Sequence, residues 1–426
     1  MSLRASSASL GVFSEIGRLR RVLVHRPGLE IDWMVPSLMD RLLFDDILYG
    51  DDARWEHDSF SAVLQAAGVE TLDPQQLLRE VCQEPAVRRE ILEVMARVGI
   101  EHFVLDELEQ GGPEPMADRL VTGIRAPVQR PGSRLRNFYR LAPLPNYFFQ
   151  RDPQIVFGDR VLIASMATEA RAREPFLSAT IFEHHPTLRH WADLVRFQRP
   201  SAEDYRRKPA IEGGDILVVS PEILMIGASE RTNGYGIDLL ASYLIHHETT
   251  FKHLIVVEIP PKRSYMHLDT VFTFIDRHLC LAYLPLIAPG GAEAGDVYRV
   301  DLRAKEVSYT LCDNLPKALA GLGVDIELVP CGGSSSLIDQ QREQWTDGAN
   351  AFAIAPGVIL LYQRNRRTTE ELDRRGWRIV TAEDITSGKE QAIGHGPTVI
   401  TLFDNELSRA RGGPRCMTMP ILRDEL

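Results

Sequence analysis

Four times along this chain an acidic residue opens an apolar run, a tight turn follows, and a second apolar run returns. Asp152 leads runs at 155–157 and 161–163 around Gly158-Asp159, and Asp215 leads 216–219 and 223–226 around Ser220-Pro-Glu222. Asp269 leads 271–275 and 279–283 around Asp276-Arg277, and Asp347 leads 351–354 and 358–362 around Ala355-Pro-Gly357. Short apolar runs bounded by turn formers read as strands, and loops this short make them hairpins. Helical spacing fills the intervals at 173–182, 237–246, 315–322 and 369–375. Four hairpin-plus-helix units predict a closed repeat architecture, with a fifth unit split between the strand at 20–25 and the C-terminal segment. Closure hides sheet edges and brings the starts of equivalent strands to one end. Asp152, Glu212, Asp215, His267 and Asp269 are therefore expected to converge. Asp347 reads as a turn former, a common role for Asp ahead of a strand.

The remaining chain fits around this repeat. A helix at 55–67 and a strand at 69–72 follow a loop or short helix at 41–47. Residues 74–124 change texture, with apolar positions such as Leu77, Leu78, Val81, Ile91, Met95, Leu105, Leu108, Met116 and Leu120 at helical spacing. This predicts an inserted bundle of three to five helices, with 1–73 and 125–426 forming the α/β catalytic domain. The Pro- and Gly-containing stretch 125–136 leads back out, and the Ser/Ala-rich residues 1–11 are expected to form a loose tail. A net charge of -11, spread along the chain, gives no electrostatic footing for nucleic acid and suits a small or cationic partner. No run of about 18 apolar residues is present, so no membrane span is expected. The five cysteines are scattered without CxxC spacing. That pattern argues for a reducing cytoplasm and against a disulfide framework or zinc site.

The candidate chemistry lies in four segments: Asn146-Tyr-Phe-Phe-Gln-Arg-Asp-Pro153, Glu212-Gly-Gly-Asp215, Met266-His-Leu-Asp-Thr270 and Arg411-Gly-Gly-Pro-Arg-Cys-Met-Thr-Met-Pro420. Cys416 supplies a nucleophile, and the nearby Arg411 and Arg415 are expected to favour its thiolate. Gly412 and Gly413 permit a tight turn where a ligand approaches backbone. Asp152 and Asp269 can grip a planar cation in bidentate fashion. His267 can move protons, and Glu212 can orient it. Together these groups suit attack on a guanidinium carbon.

Other signals are weaker. His184-His185 and His246-His247-Glu248 lack HExxH spacing and read as helix-end residues. His267-x-Asp269 has no Cys/His cluster beside it, so no metal is expected. Gly290-Gly-Ala-Glu-Ala-Gly295 lacks a βαβ context, and Gly332-Gly-Ser-Ser-Ser336 lacks a lysine, which argues against nucleotide binding. The second is expected to be a mobile loop near the site. Trp345 and Trp377 read as core or module-packing residues.

Taken with Phe13-Ser-Glu-Ile-Gly-Arg-Leu19, Leu43-Phe-Asp-Asp-Ile47, Arg342-Glu-Gln-Trp-Thr-Asp-Gly348 and Ala353-Ile-Ala-Pro-Gly-Val358, these segments resemble the arginine deiminases of the guanidine-modifying superfamily, nearly end to end. The resemblance implies a pentein-type five-bladed α/β propeller with an α-helical bundle inserted after the first blade. It makes Cys416 the nucleophile, His267 the acid/base, Glu212 its support, and Asp152 and Asp269 the guanidinium ligands. Asn146, Arg171 and Arg231 match residues that hold the substrate carboxylate, Asp215 joins the substrate-binding set, and Arg411 matches a loop arginine that gates the cysteine. Gln150 and Ala410 depart from the usual Thr and Gly, which puts rate and specificity in question.

The implied reaction converts L-arginine and water to L-citrulline and ammonia through a Cys-bound thiouronium. It needs no cofactor, in a cytoplasmic homo-oligomer. An amidinotransferase, or a deiminase acting on a related guanidine, is the alternative. A non-catalytic arginine-binding protein is a third reading.

Overall fold

In the computed structural model, residues 10–127, 138–191, 193–197 and 208–426 are described. Most of the expected tail at 1–11 and of the stretch at 125–136 lies outside them.

Each expected hairpin forms. Gln154–Phe157 pairs antiparallel with Arg160–Ile163 across Gly158, whose φ of 57° a side chain rarely adopts. Ile216–Ser220 pairs with Ile223–Ala228, Phe272–Phe274 with Leu279–Ala282, and Phe352–Ala355 with Val358–Tyr362. These strands are buried along almost their whole length, which is why they read as continuous apolar runs rather than alternating ones.

A helix then carries the chain across to a strand parallel to the hairpin's second member, as a parallel pair requires. Arg173–His184 leads to Asp193–Val195 beside Arg160–Ile163. Gly234–His246, capped by the Asn233 side chain on the Gly236 amide, leads to His253–Glu258 beside Ile223–Ala228. Leu315–Ala320 precedes Glu327–Pro330, which lies beside Leu279–Ala282. After Arg366–Arg374, Thr398–Leu402 inserts between Val358–Tyr362 and Arg378–Thr381.

The split unit forms as well. Leu19–Leu23 pairs antiparallel with Met419–Arg423 and parallel with Glu70–Leu72, with helix Gly50–Ala66 between the first and last. Among the described residues this makes five sheets of three to five strands and one two-stranded ribbon, Ile124–Arg125 with Tyr139–Leu141. The fold is mixed α/β. The sequence reading missed the antiparallel strands Val297–Asp301 and Thr310–Cys312, which extend the second sheet at its edge. Their half-exposed residues carry no apolar run.

Between Pro74 and Thr122 lie four helices: Pro74–Val81, Pro85–Arg97, His102–Glu109 and Pro113–Thr122. Three begin at Pro in the first position, where the missing N–H costs nothing. Their buried Leu78, Ile91, Leu108 and Leu120 join one hydrophobic cluster with Leu177 and Phe182 of helix Arg173–His184. No described helix is long and apolar enough to cross a membrane.

Candidate active site

Asp152 and Asp269 each stand a few residues ahead of a hairpin, and both are buried. Asp269 lies in the single 3-10 turn Leu268–Thr270, and Glu212 immediately precedes another, Gly213–Asp215. Gly214 is needed there because a Cβ on it would sit 2.7 Å from the His267 ring. The backbone thus passes directly beneath the imidazole.

His267 Nε2 lies 2.9 Å from Glu212 Oε2, and its Nδ1 faces Asp152 Oδ1 at 3.7 Å. Burial alone would lower the imidazole's pKa, but the carboxylates of Asp152 and Glu212 outweigh it and raise the value to about 9. The resting ring is an imidazolium. Its Nδ1, the nitrogen not bonded to Glu212, is turned to Asp152, and both residues line the site's pocket.

Cys416 is held from three sides. Asn350 Oδ1 accepts the amide N–H groups of Arg415 and Cys416 at 3.1 and 3.2 Å, and Asn350 Nδ2 donates to Asp269 O at 3.0 Å. The Arg151 amide donates to Cys416 O at 3.0 Å. The thiol points at Asp269 Oδ2, 3.8 Å away. Burial, then the charges of Asp269, Asp152 and Asp347, hold the thiol well above its usual pKa.

That corrects the expected role of the flanking arginines. Arg415 bonds other groups rather than the thiol, donating to Glu15 Oε2, Asp269 Oδ2 and Ile216 O at 3.0, 2.7 and 2.8 Å. Arg411 stacks on Trp345, its guanidinium carbon 3.4 Å from the ring centroid. Arg411 does act on the thiol through its charge, but neither arginine outweighs burial and the carboxylates around the sulfur.

One pocket is lined by Asn146, Asp152, Arg171, Arg231, His267, Arg411 and Cys416, with Asp45, Phe149, Met266 and Ala410 among its other walls. Two buried carboxylate oxygens of the site, Asp152 Oδ1 and Asp269 Oδ1, have no hydrogen-bond partner. Their second oxygens are fixed, by Arg171 Nη1 at 2.6 Å and Arg415 Nη1 at 2.7 Å. Unmet acceptors this deep are costly and indicate a donor that arrives from outside. Arg171 is further bonded to Glu174, while Arg231 Nε has no hydrogen-bond partner. Asn146 Nδ2 donates to Leu42 O at 2.8 Å.

Several expectations are placed differently. Asp215 does not line the pocket. Its carboxylate accepts from the Leu268 amide and Ser229 Oγ, at 2.8 and 2.7 Å, so it props the His267–Asp269 turn. Gln150 is buried against Tyr147 O and Gln154, away from the pocket lining. Ala410 does line it. Trp377 is buried, but Trp345 is 47% exposed and covers Arg411.

The glycines before Cys416 serve side chains rather than a ligand. A Cβ on Gly412 would meet the Phe149 ring at 2.2 Å, and one on Gly413 would meet Asn350. Gly332 and Gly333 are tied to Thr368 and Gln340 and do not line the pocket. Asn350 and Glu15 were missed as site residues, because their roles depend on side-chain direction. Arg415 was expected to serve the thiol and instead holds Asp269.

Donor atoms of Asp152, Glu212 and His267 lie within 4.8 Å of one another, as those of Glu90, Glu183 and His184 do on the surface. In the first set the His267 nitrogens already face the two carboxylates, at 2.9 Å from Glu212 and 3.7 Å from Asp152.

A family model described as Arginine deiminase matches residues 40–102 and 116–423. A Clostridium perfringens arginine deiminase is 35% identical over 440 residues, covering 98% of this chain and 99% of that one. A Staphylococcus aureus arginine deiminase is 35% identical over 431 residues, covering 97% and 98%. Among solved structures, an amidinotransferase from Microseira wollei matches with TM-score 0.55 at 13% identity, covering 98% of each chain. A DDAH from Pseudomonas aeruginosa matches with TM-score 0.50 at 14% identity, covering 94% and 99%. These structural likenesses speak to the fold alone.

Proposed function

The chain belongs to the arginine deiminase family, and from that premise we infer that its pocket hydrolyses L-arginine to L-citrulline and ammonia, with Cys416 as nucleophile. The observation that carries the residue assignment is the pair of unpartnered carboxylate oxygens, one on Asp152 in the pocket wall and one on Asp269, whose other oxygen lies 3.8 Å from the Cys416 thiol. A guanidinium presents N–H donors in a plane and a positive charge, and it meets both needs at once. Its charge also offsets the carboxylates that raise the thiol pKa, so the thiol releases its proton to solvent as substrate seats.

The thiolate attacks the guanidinium carbon and gives a neutral tetrahedral adduct. The His267 imidazolium donates its proton to one amino nitrogen, which leaves as ammonia, and a Cys416 thiouronium remains. Neutral His267 then takes a proton from water as the oxygen adds to the same carbon. Cleavage of the C–S bond returns the thiolate, and the hydroxyl of the protonated ureido product loses its proton to give citrulline. Glu212 keeps the imidazole oriented and charged at the start of the cycle.

Asn146, Arg171 and Arg231 hold the substrate carboxylate in this reading, with Arg231 contributing the freer guanidinium. Arg411 closes the mouth. The five sheets are read as blades of a closed propeller, with 74–124 as the helical insert and 1–73 with 125–426 as the catalytic part. The parallel-plus-antiparallel pattern repeated in each sheet supports that view. Homo-oligomeric assembly and a cytoplasmic location rest on the family resemblance.

Product analysis tests the assignment. L-arginine alone should give citrulline and ammonia in equal amounts, and Cys416→Ala should give neither. Agmatine, which lacks the carboxylate, should be a poor substrate. Ornithine with an amidinated amine acceptor would assign the site to transfer instead.

A further inference from the structure

Asn350 is fully buried, and its side chain makes three of its four possible hydrogen bonds to two backbone segments far apart in sequence. Oδ1 accepts from the consecutive amides of Arg415 and Cys416, and Nδ2 donates to the Asp269 carbonyl. Two N–H groups on one side and a carbonyl on the other permit one orientation of the amide. The local turn needs none of these bonds, because it is closed by the Asn350 amide on Asp347 O.

The residues before Asn350 are tied to one side only. Gln344 Nε2 donates to Ser264 O and Thr270 O at 2.7 and 3.3 Å, and Thr273 Oγ1 donates to Ala349 O at 2.7 Å. These bonds attach 344–350 to the segment that carries His267 and Asp269. Among the described residues no backbone hydrogen bond joins 267–270 to 415–416. Asn350 Oδ1 makes that crossing. It also backs Gly413, where a Cβ would lie 2.6 Å from it. Burial and the nearby carboxylates raise the Cys416 pKa, while a hydrogen bond from the Gly413 amide lowers it.

We propose that Asn350 is a positioning residue that sets the separation between the Cys416 sulfur and the Asp269 carboxylate, so that a cation held by Asp269 lies in line for attack. An amide carries its acceptor and donor on one rigid plane, so the two backbones cannot shift separately. Arg415 fixes the direction of the Asp269 carboxylate, and Asn350 fixes how far its backbone stands from the thiol.

This rests on the arginine-hydrolysing reading, so two readouts are taken on the parent protein, Asn350→Ala and Asn350→Asp. The first is turnover of L-arginine. In Asn350→Ala kcat should fall about 100-fold, the cost of misplacing reacting atoms by about 1 Å. KM should change less than about threefold, since Asn146, Arg171, Arg231 and Asp152 are untouched. The second needs no turnover. Alkylation of the Cys416 peptide is followed by mass spectrometry with chloroacetamidine, whose cation needs Asp269, and with neutral iodoacetamide. The ratio of the two rates should fall about tenfold or more, because alignment is lost while the thiol remains. Asn350→Asp keeps the size and the Oδ1 acceptor and replaces the Nδ2 donor. It should move both readouts in the same direction, and it carries the test where Asn350→Ala does not fold.

An unchanged reagent ratio would overturn the proposal, as would a rise in KM with kcat preserved. Loss of folded protein in both variants, read by thermal melting, would assign Asn350 to the scaffold and overturn it as well. A parent protein that does not turn over L-arginine would refute the functional reading, and the reagent ratio would then decide the role of Asn350 by itself.

Discussion

Arg415 Nη1 donates to Asp269 Oδ2 at 2.7 Å, and the thiol of the very next residue, Cys416, points at that same oxygen from 3.8 Å. One buried guanidinium therefore fixes the carboxylate that faces the proposed nucleophile. Its other nitrogens bond Glu15 and the Ile216 carbonyl, which ties the Cys416 loop to residues from distant parts of the chain. Arg415→Lys keeps the charge but loses the planar fork. We expect kcat/KM to fall about 10- to 100-fold, and each lost hydrogen bond to a buried carboxylate to cost about 1.5–3 kcal/mol of stability. Steady-state kinetics and thermal melting check both; unchanged values would mean that Asp269 is positioned by something else.

The pH dependence follows from His267. Its pKa is raised to about 9 against an ordinary 6.5, with the carboxylates of Asp152 and Glu212 overcoming burial. The proton needed by departing ammonia is present below that value and is lost as pH rises through it. The basic limb of kcat/KM should therefore lie near 9. Glu212→Gln removes one carboxylate and should move that limb to lower pH by about one unit or more. A limb that stays in place would separate it from His267.

Gly412 is a steric requirement. An alanine Cβ there would lie 2.2 Å from the Phe149 ring, so backbone or ring must move. Gly412→Ala should cost about 1–3 kcal/mol by overpacking and lower kcat by displacing the Cys416 loop. Thermal melting with parallel kinetics tests this; a variant with wild-type Tm and kcat would show that the loop has room to spare.

A second prediction on pH concerns stability, away from the pocket. Buried His25 lies 3.2 Å from Glu30 and 3.3 Å from Asp73, the residue that caps the first helix of the 74–122 segment. Burial opposes its charge, but the bonds to Asp73 and Glu30 raise its pKa from 6.5 to about 9. A raised folded-state value means stability that is fully present below 6.5 and lost as pH rises through 9, on the order of 3 kcal/mol. His25→Gln should flatten the denaturation midpoint across that window. A midpoint in the parent protein that does not fall over that range would contradict the assignment.

The hairpins, the crossing helices and the split N- and C-terminal pairing were legible because buried strands leave continuous apolar runs and turns leave Gly and Pro. The edge strands 297–301 and 310–312 were not, since half-exposed strands leave no such run. The residue types that meet at the pocket were legible. Their electrostatics were not: Arg415 is adjacent to Cys416 in sequence, but its side chain serves Asp269 instead. Asp215 and Asp152 occupy similar places ahead of a hairpin, yet one props a turn while the other faces the pocket. Trp345 and Trp377 look alike in sequence, and only Trp377 is core. In each case side-chain direction decides the role, and direction is set by tertiary neighbours.

The central claim is that Cys416 carries the carbon of L-arginine as a covalent thiouronium. The most direct measurement is intact-protein and peptide mass spectrometry after acid quench of the protein turning over L-arginine. The account predicts a mass increase equal to arginine less ammonia, confined to the peptide containing Cys416 and absent from Cys416→Ala. Citrulline formed at an undiminished rate by Cys416→Ala, or an adduct on Cys331 or another residue in its place, would contradict it.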